Sequence, residues 1–151
     1  MNNEIKVIKI RSSFFEIITF LEKYKIDYWI GRGLLEKIYS RLIVDDPVKH
    51  DIDFHILIKD RERLLQRLIQ NKYDIKQNND YKIQILGKSD NRRIEFVFLV
   101  PDGKYYKYKR KNNIFLCPQH LFGADIVQII DKKVKVPTPI NDYFNCIEQE
   151  Y

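Results

Sequence analysis

Three acids stand where a charged side chain is costly. The stretch "DIDFHILI" opens an apolar run with Asp51 and Asp53, and "RRIEFVFLV" carries Glu95 as its lone acid. Side chains at i and i+2 of a strand share a face, so Asp51 and Asp53 point the same way. Like charges held that close, in partly dry surroundings, raise each other's cost. If the strand carrying Glu95 lies beside the first, three carboxylates converge and require a cation. Mg2+ or Mn2+ suits them, because it takes hard oxygen ligands and completes its shell with water and phosphate oxygens. The chemistry that follows is transfer of a phosphate-linked group, with the metal neutralising charge and orienting the attacking oxygen. Asp51, Asp53 and Glu95 are therefore the candidate catalytic and metal-binding residues.

A second feature fits the same chemistry. Gly31, Arg32 and Gly33 form a small-residue turn between "DYWI" and "LLEKIYSRLI". Such a turn lets backbone N–H groups and a helix N-terminus approach phosphate oxygens, and Arg32 adds a charge-assisted donor. These three residues are the candidate phosphate-binding set.

The elements that must position these residues read as a mixed α/β (α+β) domain, a mixed sheet flanked by helices. Phe14, Ile17, Ile18, Leu21 and Tyr24 recur at helical spacing, with Ser12 or Ser13 as the cap. A strand over "DYWI", the glycine turn and a second helix follow. After the loop "VDDPVKH" comes the acid-bearing strand, then a helix over "RERLLQRLIQN" with Leu64, Leu65, Leu68 and Ile69 on one side. "YDIKQ", "YKIQILG" and "RRIEFVFLV" read as strands joined by turn-rich spacers, which makes part of the sheet antiparallel. The stretch from Cys117 onward reads as less regular, ending in a short helix. "GKYYKYKRK", residues 103–111, mixes aromatics with positive charge and reads as a solvated hairpin or as a surface for bases and phosphates.

Length and composition set the bounds. The 151 residues suit one domain over 1–151, and no apolar run approaches the roughly 18 residues that span a bilayer. The start lacks the pattern of a secretory signal, which predicts a cytoplasmic chain. Cys117 and Cys146 read as reduced and buried. The net charge of +6 points to an anionic partner: a nucleotide, a phosphorylated sugar or, less favoured, nucleic acid. His55 falls on the face of Asp53 and reads as a hydrogen-bonded wall residue rather than a ligand. His50 flanks the acids too, and Asp45 and Asp46 before Pro47 read as turn residues.

"YWIGRGLL", then "DIDFHI", then "RIEFVFL" together resemble the nucleotidyltransferase superfamily pattern: an apolar residue, Gly, Gly or Ser, an acid-x-acid pair in a strand, and one acid in a later strand. Within it the chain is similar to the LicD and fukutin group, whose members carry "W-x-x-G-G-T-L-L-G" and "D-D-D-I-D". The ending "KVKVPTPINDYFNCIEQEY" is similar to that group's valine-proline stretch. The resemblance implies a metal-dependent transferase that moves a phosphorylated small group, of phosphocholine or pentitol phosphate type, from a CDP-linked donor to a glycan or related acceptor. It places metal ligands at Asp51, Asp53 and Glu95. The chain departs from the pattern at Arg32, Gly33, Glu36 and Lys49. Cations at 32 and 49 also suit a catalytically decayed binding module. A further alternative is an NTP-using nucleotidyltransferase acting on a small molecule, protein or RNA.

Overall fold

The computed structural model describes residues 11–40, 52–129 and 132–150. Asp51, the first acid of the pair, lies outside them, as do His50, Lys49, Asp45 and Asp46.

Helix α1, Arg11–Lys23, buries Phe14, Ile17, Ile18 and Leu21 along one face. It ends where Lys25 takes a left-handed φ of 55° while Ile26 N–H donates to the Leu21 carbonyl at 2.9 Å, a Schellman-type stop. Strand β1, Trp29–Ile30, leads into helix α2, Arg32–Ser40. Strand β2, Ile52–Leu57, runs through a 3-10 turn into helix α3, Arg61–Gln70, which buries Leu64 and Leu68. Helix α3 stops like α1, with Lys72 at φ 61° and Tyr73 N–H donating to the Leu68 carbonyl at 3.1 Å. The strands β3 (Asp74–Asn78), β4 (Lys82–Leu86) and β5 (Arg93–Asp102) follow.

Strand β5 organises the sheet. β2 lies parallel to it from Ile52↔Ile94 to Leu57↔Leu99, while β4 runs antiparallel against its first half. Its second half pairs with β6 (Tyr105–Arg110), which pairs in turn with β7 (Asn113–Pro118). The main path is β1-β2-β5-β6-β7-β10, with β3 reaching it through β4, and β8 (Ile126–Ile129) and β9 (Lys132–Lys135) form a separate hairpin. Under the sheet, Phe54 stacks between Phe14 and Phe96, at 6.3 and 6.1 Å between ring centroids, which seats α1 on β2 and β5.

Three expectations need correction. Ser13 is no cap: it sits inside α1, buried, and its hydroxyl donates to Asp90. The stretch from Cys117 onward is richer in strand than its composition suggests, since helix α4 (Ile140–Phe144) is followed by β10 (Ile147–Glu150). β10 lies at the end of the sheet and leaves Ile147 exposed, so no inward-outward alternation marks it in the sequence. The cysteines are bonded to each other, not reduced. β10 returns along β7 with Leu116 opposite Ile147, which sets Cys117 against Cys146 with their Cα atoms 5.1 Å apart. Among the described residues no helix is long and apolar enough to cross a membrane.

Candidate functional site

The glycine turn is built around Asp53. β1 pairs with β2 as Trp29↔His55 and Ile30↔Phe54, and Gly31 N–H extends the ladder to the Asp53 carbonyl at 2.9 Å. The Gly31 carbonyl then accepts from Leu35 N–H at 3.0 Å, the first bond inside α2. Helix N-termini leave N–H groups without intrahelical partners. The Asp53 carboxylate satisfies two of them, accepting from Gly33 N–H at 3.1 Å and Leu34 N–H at 2.7 Å. A strand acid thus caps a helix from outside it, and its charge complements the helix dipole. A Cβ at Gly31 would stand 2.3 Å from Asp53 Oδ2, which is why only glycine fits. The turn was expected to offer its N–H groups to phosphate; two of them are already engaged by Asp53.

Glu95 stands directly beside Asp53, because the parallel register pairs Asp53 with Glu95 and puts both side chains on one face. Glu95 Oε1 accepts from Gln84 Nε2 at 2.8 Å and Lys82 Nζ at 3.2 Å. Both acids line one cavity of about 500 Å3, together with Arg32 and Gly33. Among the described residues five cations line it as well: Arg32, Lys82, Lys109, Arg110 and Lys111. The stretch 103–111 forms a hairpin with β7, as read from the sequence, and its end also lines the cavity.

His55 does share the face of Asp53, but it is only 1% exposed. Nδ1 faces the Val97 carbonyl at 3.3 Å and Nε2 lies 2.7 Å from the Tyr143 hydroxyl. A carbonyl only accepts, so Nδ1 carries the ring proton and Nε2 accepts from Tyr143. Burial holds the imidazole pKa down at about 3, so the ring is neutral. It is a wall residue that anchors α4 beneath the acids.

Arg32 turns toward the C-terminal segment. Its Nε bonds Glu36 at 2.9 Å, Nη2 donates to the Phe144 carbonyl at 3.0 Å, and the guanidinium lies 4.7 Å from the Phe115 ring centroid. Burial opposes its charge, but the Tyr108 hydroxyl and the Glu36 carboxylate outweigh this and raise its pKa. Glu36 is shared with Arg110, whose two terminal nitrogens lie 3.3 and 3.4 Å from it. Lys82, Gln84, Glu36 and Arg110 were not singled out as site residues from the sequence. For Lys82 and Gln84 a signal existed: in "YKIQILG" they alternate with buried Ile83 and Ile85, so they share one face of β4.

No protein-family model matches the chain, and no curated protein matches it. Solved structures do. The lincosamide antibiotic adenylyltransferase LnuA, with lincomycin bound, superposes with a TM-score of 0.63 at 14% identity, over 89% of this chain and 84% of LnuA. The antibiotic-resistance factor ANT(2'')-Ia in solution gives 0.62 at 15% identity, over 93% of this chain and 72% of that one. ANT(2'')-Ia in complex with adenylyl-2''-tobramycin gives 0.54 at 15% identity, over 87% and 72%. The chain has the nucleotidyltransferase fold. Within that fold, nothing found supports the narrower LicD and fukutin likeness.

Carboxylate oxygens are the hard ligands that a divalent metal such as Mg2+ takes. The donor chemistry here fits one, since Asp53 and Glu95 bring two hard carboxylates to the same cavity. Among the described residues no group of three His, Cys, Asp or Glu side chains comes together. The third carboxylate of the expected set, Asp51, is outside those residues.

Proposed function

We propose that the chain is a metal-dependent nucleotidyltransferase that uses a nucleoside triphosphate and transfers the nucleotidyl group to a hydroxyl of a small molecule. The observation that carries this is the pairing of Asp53 with Glu95 on adjacent strands, at a cavity walled by five cations, within this fold. The named neighbours, a lincosamide adenylyltransferase and ANT(2'')-Ia with an adenylylated tobramycin, support a triphosphate donor over a CDP-linked one. The CDP-linked reading, with phosphocholine or pentitol phosphate moved to a glycan, rests on the sequence motifs alone.

In this reading Asp53, Glu95 and Asp51 would hold Mg2+ or Mn2+, which would neutralise charge on the reacting phosphate. The acceptor oxygen attacks the α-phosphorus, its bond to the β-phosphate oxygen breaks, diphosphate leaves and the acceptor proton passes to solvent. Lys109, Arg110, Lys111 and Lys82 offset the triphosphate charge from the walls, while Arg32 and Gly33 close the inner end. Asp53 stays rigid because the α2 N-terminus clamps both of its oxygens. Catalysis is then positioning and charge neutralisation.

The test is thermal melting with Mn2+ or Mg2+ and each nucleoside triphosphate or CDP conjugate, with Glu95→Gln as the comparison. A ligand at 100 times its Kd adds about 2.7 kcal/mol, or roughly 5–10 °C for a chain of this size. The expected result is a metal-dependent rise with a triphosphate that Glu95→Gln loses. No rise with any metal–nucleotide pair refutes the enzyme reading and leaves the decayed binding module.

A further inference from the structure

Glu95 already has a cation beside it. Its strand, β5, runs antiparallel to β4 with Gln84 directly opposite, and Lys82 lies on the same face of β4 as Gln84, opposite Val97. Glu95 Oε1 accepts from both side chains, at 2.8 Å from Gln84 and 3.2 Å from Lys82. A carboxylate oxygen has two lone pairs, so these two donors fill that oxygen. The donors differ in kind. Gln84 is neutral and only 6% exposed, so packing fixes it. The Lys82 side chain is 30% exposed, against 18% for Glu95, and its ammonium rides on a flexible four-carbon stem.

A dication that takes Glu95 as a ligand meets the Lys82 ammonium at the same carboxylate. The two compete for one negative charge and repel each other, a repulsion that is strong at such range in a partly dry site. Four further cations line the cavity where Lys82 would swing, and together they mark where a polyphosphate would lie. We propose that Lys82 is an exchangeable counter-ion: it neutralises Glu95 while the site is empty, yields it to the arriving metal and then turns to the phosphates of the nucleotide. Gln84 keeps the carboxylate aimed throughout. Lys82 is a positioning residue, and this role rests on the metal-dependent reading above.

The role predicts opposite effects on two ligands when the charge is removed. Mn2+ is titrated into the protein and followed by loss of the free-ion electron paramagnetic resonance signal, first alone and then with a nucleoside triphosphate. Lys82→Met should bind Mn2+ alone roughly threefold to tenfold more tightly. The same variant should bind the Mn2+–nucleotide complex more weakly by a similar factor. Lys82→Gln, which keeps a polar group, should show the same crossing, and Lys82→Arg should reverse it. Lys111→Met removes a cation from the same cavity without touching Glu95, so it should weaken nucleotide binding and leave Mn2+ alone unchanged. Unchanged or weaker Mn2+ binding in Lys82→Met overturns the exchange role while leaving the enzyme reading intact. Equal tightening in Lys111→Met reduces the effect to a general field and also overturns it. A wild-type protein that binds neither Mn2+ nor nucleotide overturns both.

Discussion

Gly31→Ala tests whether the glycine turn exists to admit Asp53. The added Cβ would lie 2.3 Å from Oδ2, 2.6 Å from Cγ and 3.0 Å from the backbone carbon of Asp53. Ordinary contact begins about an ångström farther out, so the carboxylate must retreat by about that much. Its bonds to Gly33 N–H and Leu34 N–H, now 3.1 and 2.7 Å, then break or stretch past useful length. Hydrogen bonds to a charged group contribute about 1.5–3 kcal/mol each, and overpacking alone costs about 1–3 kcal/mol. We expect a net loss of roughly 3 kcal/mol, seen in urea denaturation, and a fall in Tm of about 6–12 °C. The decisive measurement is a double-mutant cycle with Asp53→Ala. In that background the contacts at 2.3 and 2.6 Å are gone while the backbone contact at 3.0 Å stays, so the cost of Gly31→Ala should shrink by more than about 1 kcal/mol. Additive losses would show that Gly31 matters for some reason other than the carboxylate, and would refute the tertiary-cap account of Asp53.

Other expectations follow from single contacts. His55 has a folded pKa of about 3 against an ordinary value of 6.5, so the unfolded chain binds the extra proton between those limits. Its contribution is complete above pH 6.5 and is lost as the pH falls toward 3. His55→Gln, which can still bond the Tyr143 hydroxyl, should flatten the fall in Tm between pH 7 and 4, and an unchanged profile would remove His55 as its cause. The Cys117–Cys146 bond closes a loop with a sequence separation of 29. Thiol titration of the denatured, unreduced protein should therefore find no free cysteine, and reduction should cost roughly 3–4 kcal/mol. Two titratable thiols would contradict the bond.

What could be read in the sequence was what depends on local pattern. Phe14, Ile17, Ile18 and Leu21 announced α1, and an acid inside each of two apolar runs announced β2 and β5 as neighbours worth pairing. The structure places Asp53 opposite Glu95, which meets the condition on which the converging-carboxylate reading depends. What could not be read depends on contacts between distant positions. The Arg32 guanidinium meets the carbonyl of Phe144, 112 residues away. Cys117 and Cys146 read as reduced in the sequence, and they meet only because β10 comes back along β7. The glycine turn showed both kinds of limit. Its position between strand and helix was legible, but that a side chain from the next strand fills it was not, because nothing local distinguishes a phosphate cradle from a carboxylate one.

Arg32 shows why the C-terminal segment belongs to the site rather than merely following it. A cation two residues before Leu34 suggested a phosphate ligand or a stand-in for a metal. The structure ties the same guanidinium to Glu36, to the Phe144 carbonyl and across the Phe115 ring. Phe144 ends α4, Phe115 lies on β7, and Tyr143, next to Phe144, is bonded to His55 at 2.7 Å. Two residues after Phe144, Cys146 fixes the same segment to β7. Helix α2, whose N-terminus clamps Asp53, is thus held from one side by β2 and from the other by α4 and β7. Loosening the segment at Cys146 would release both its Arg32 contact and its support of His55, so the orientation of Asp53 depends on residues that approach neither acid.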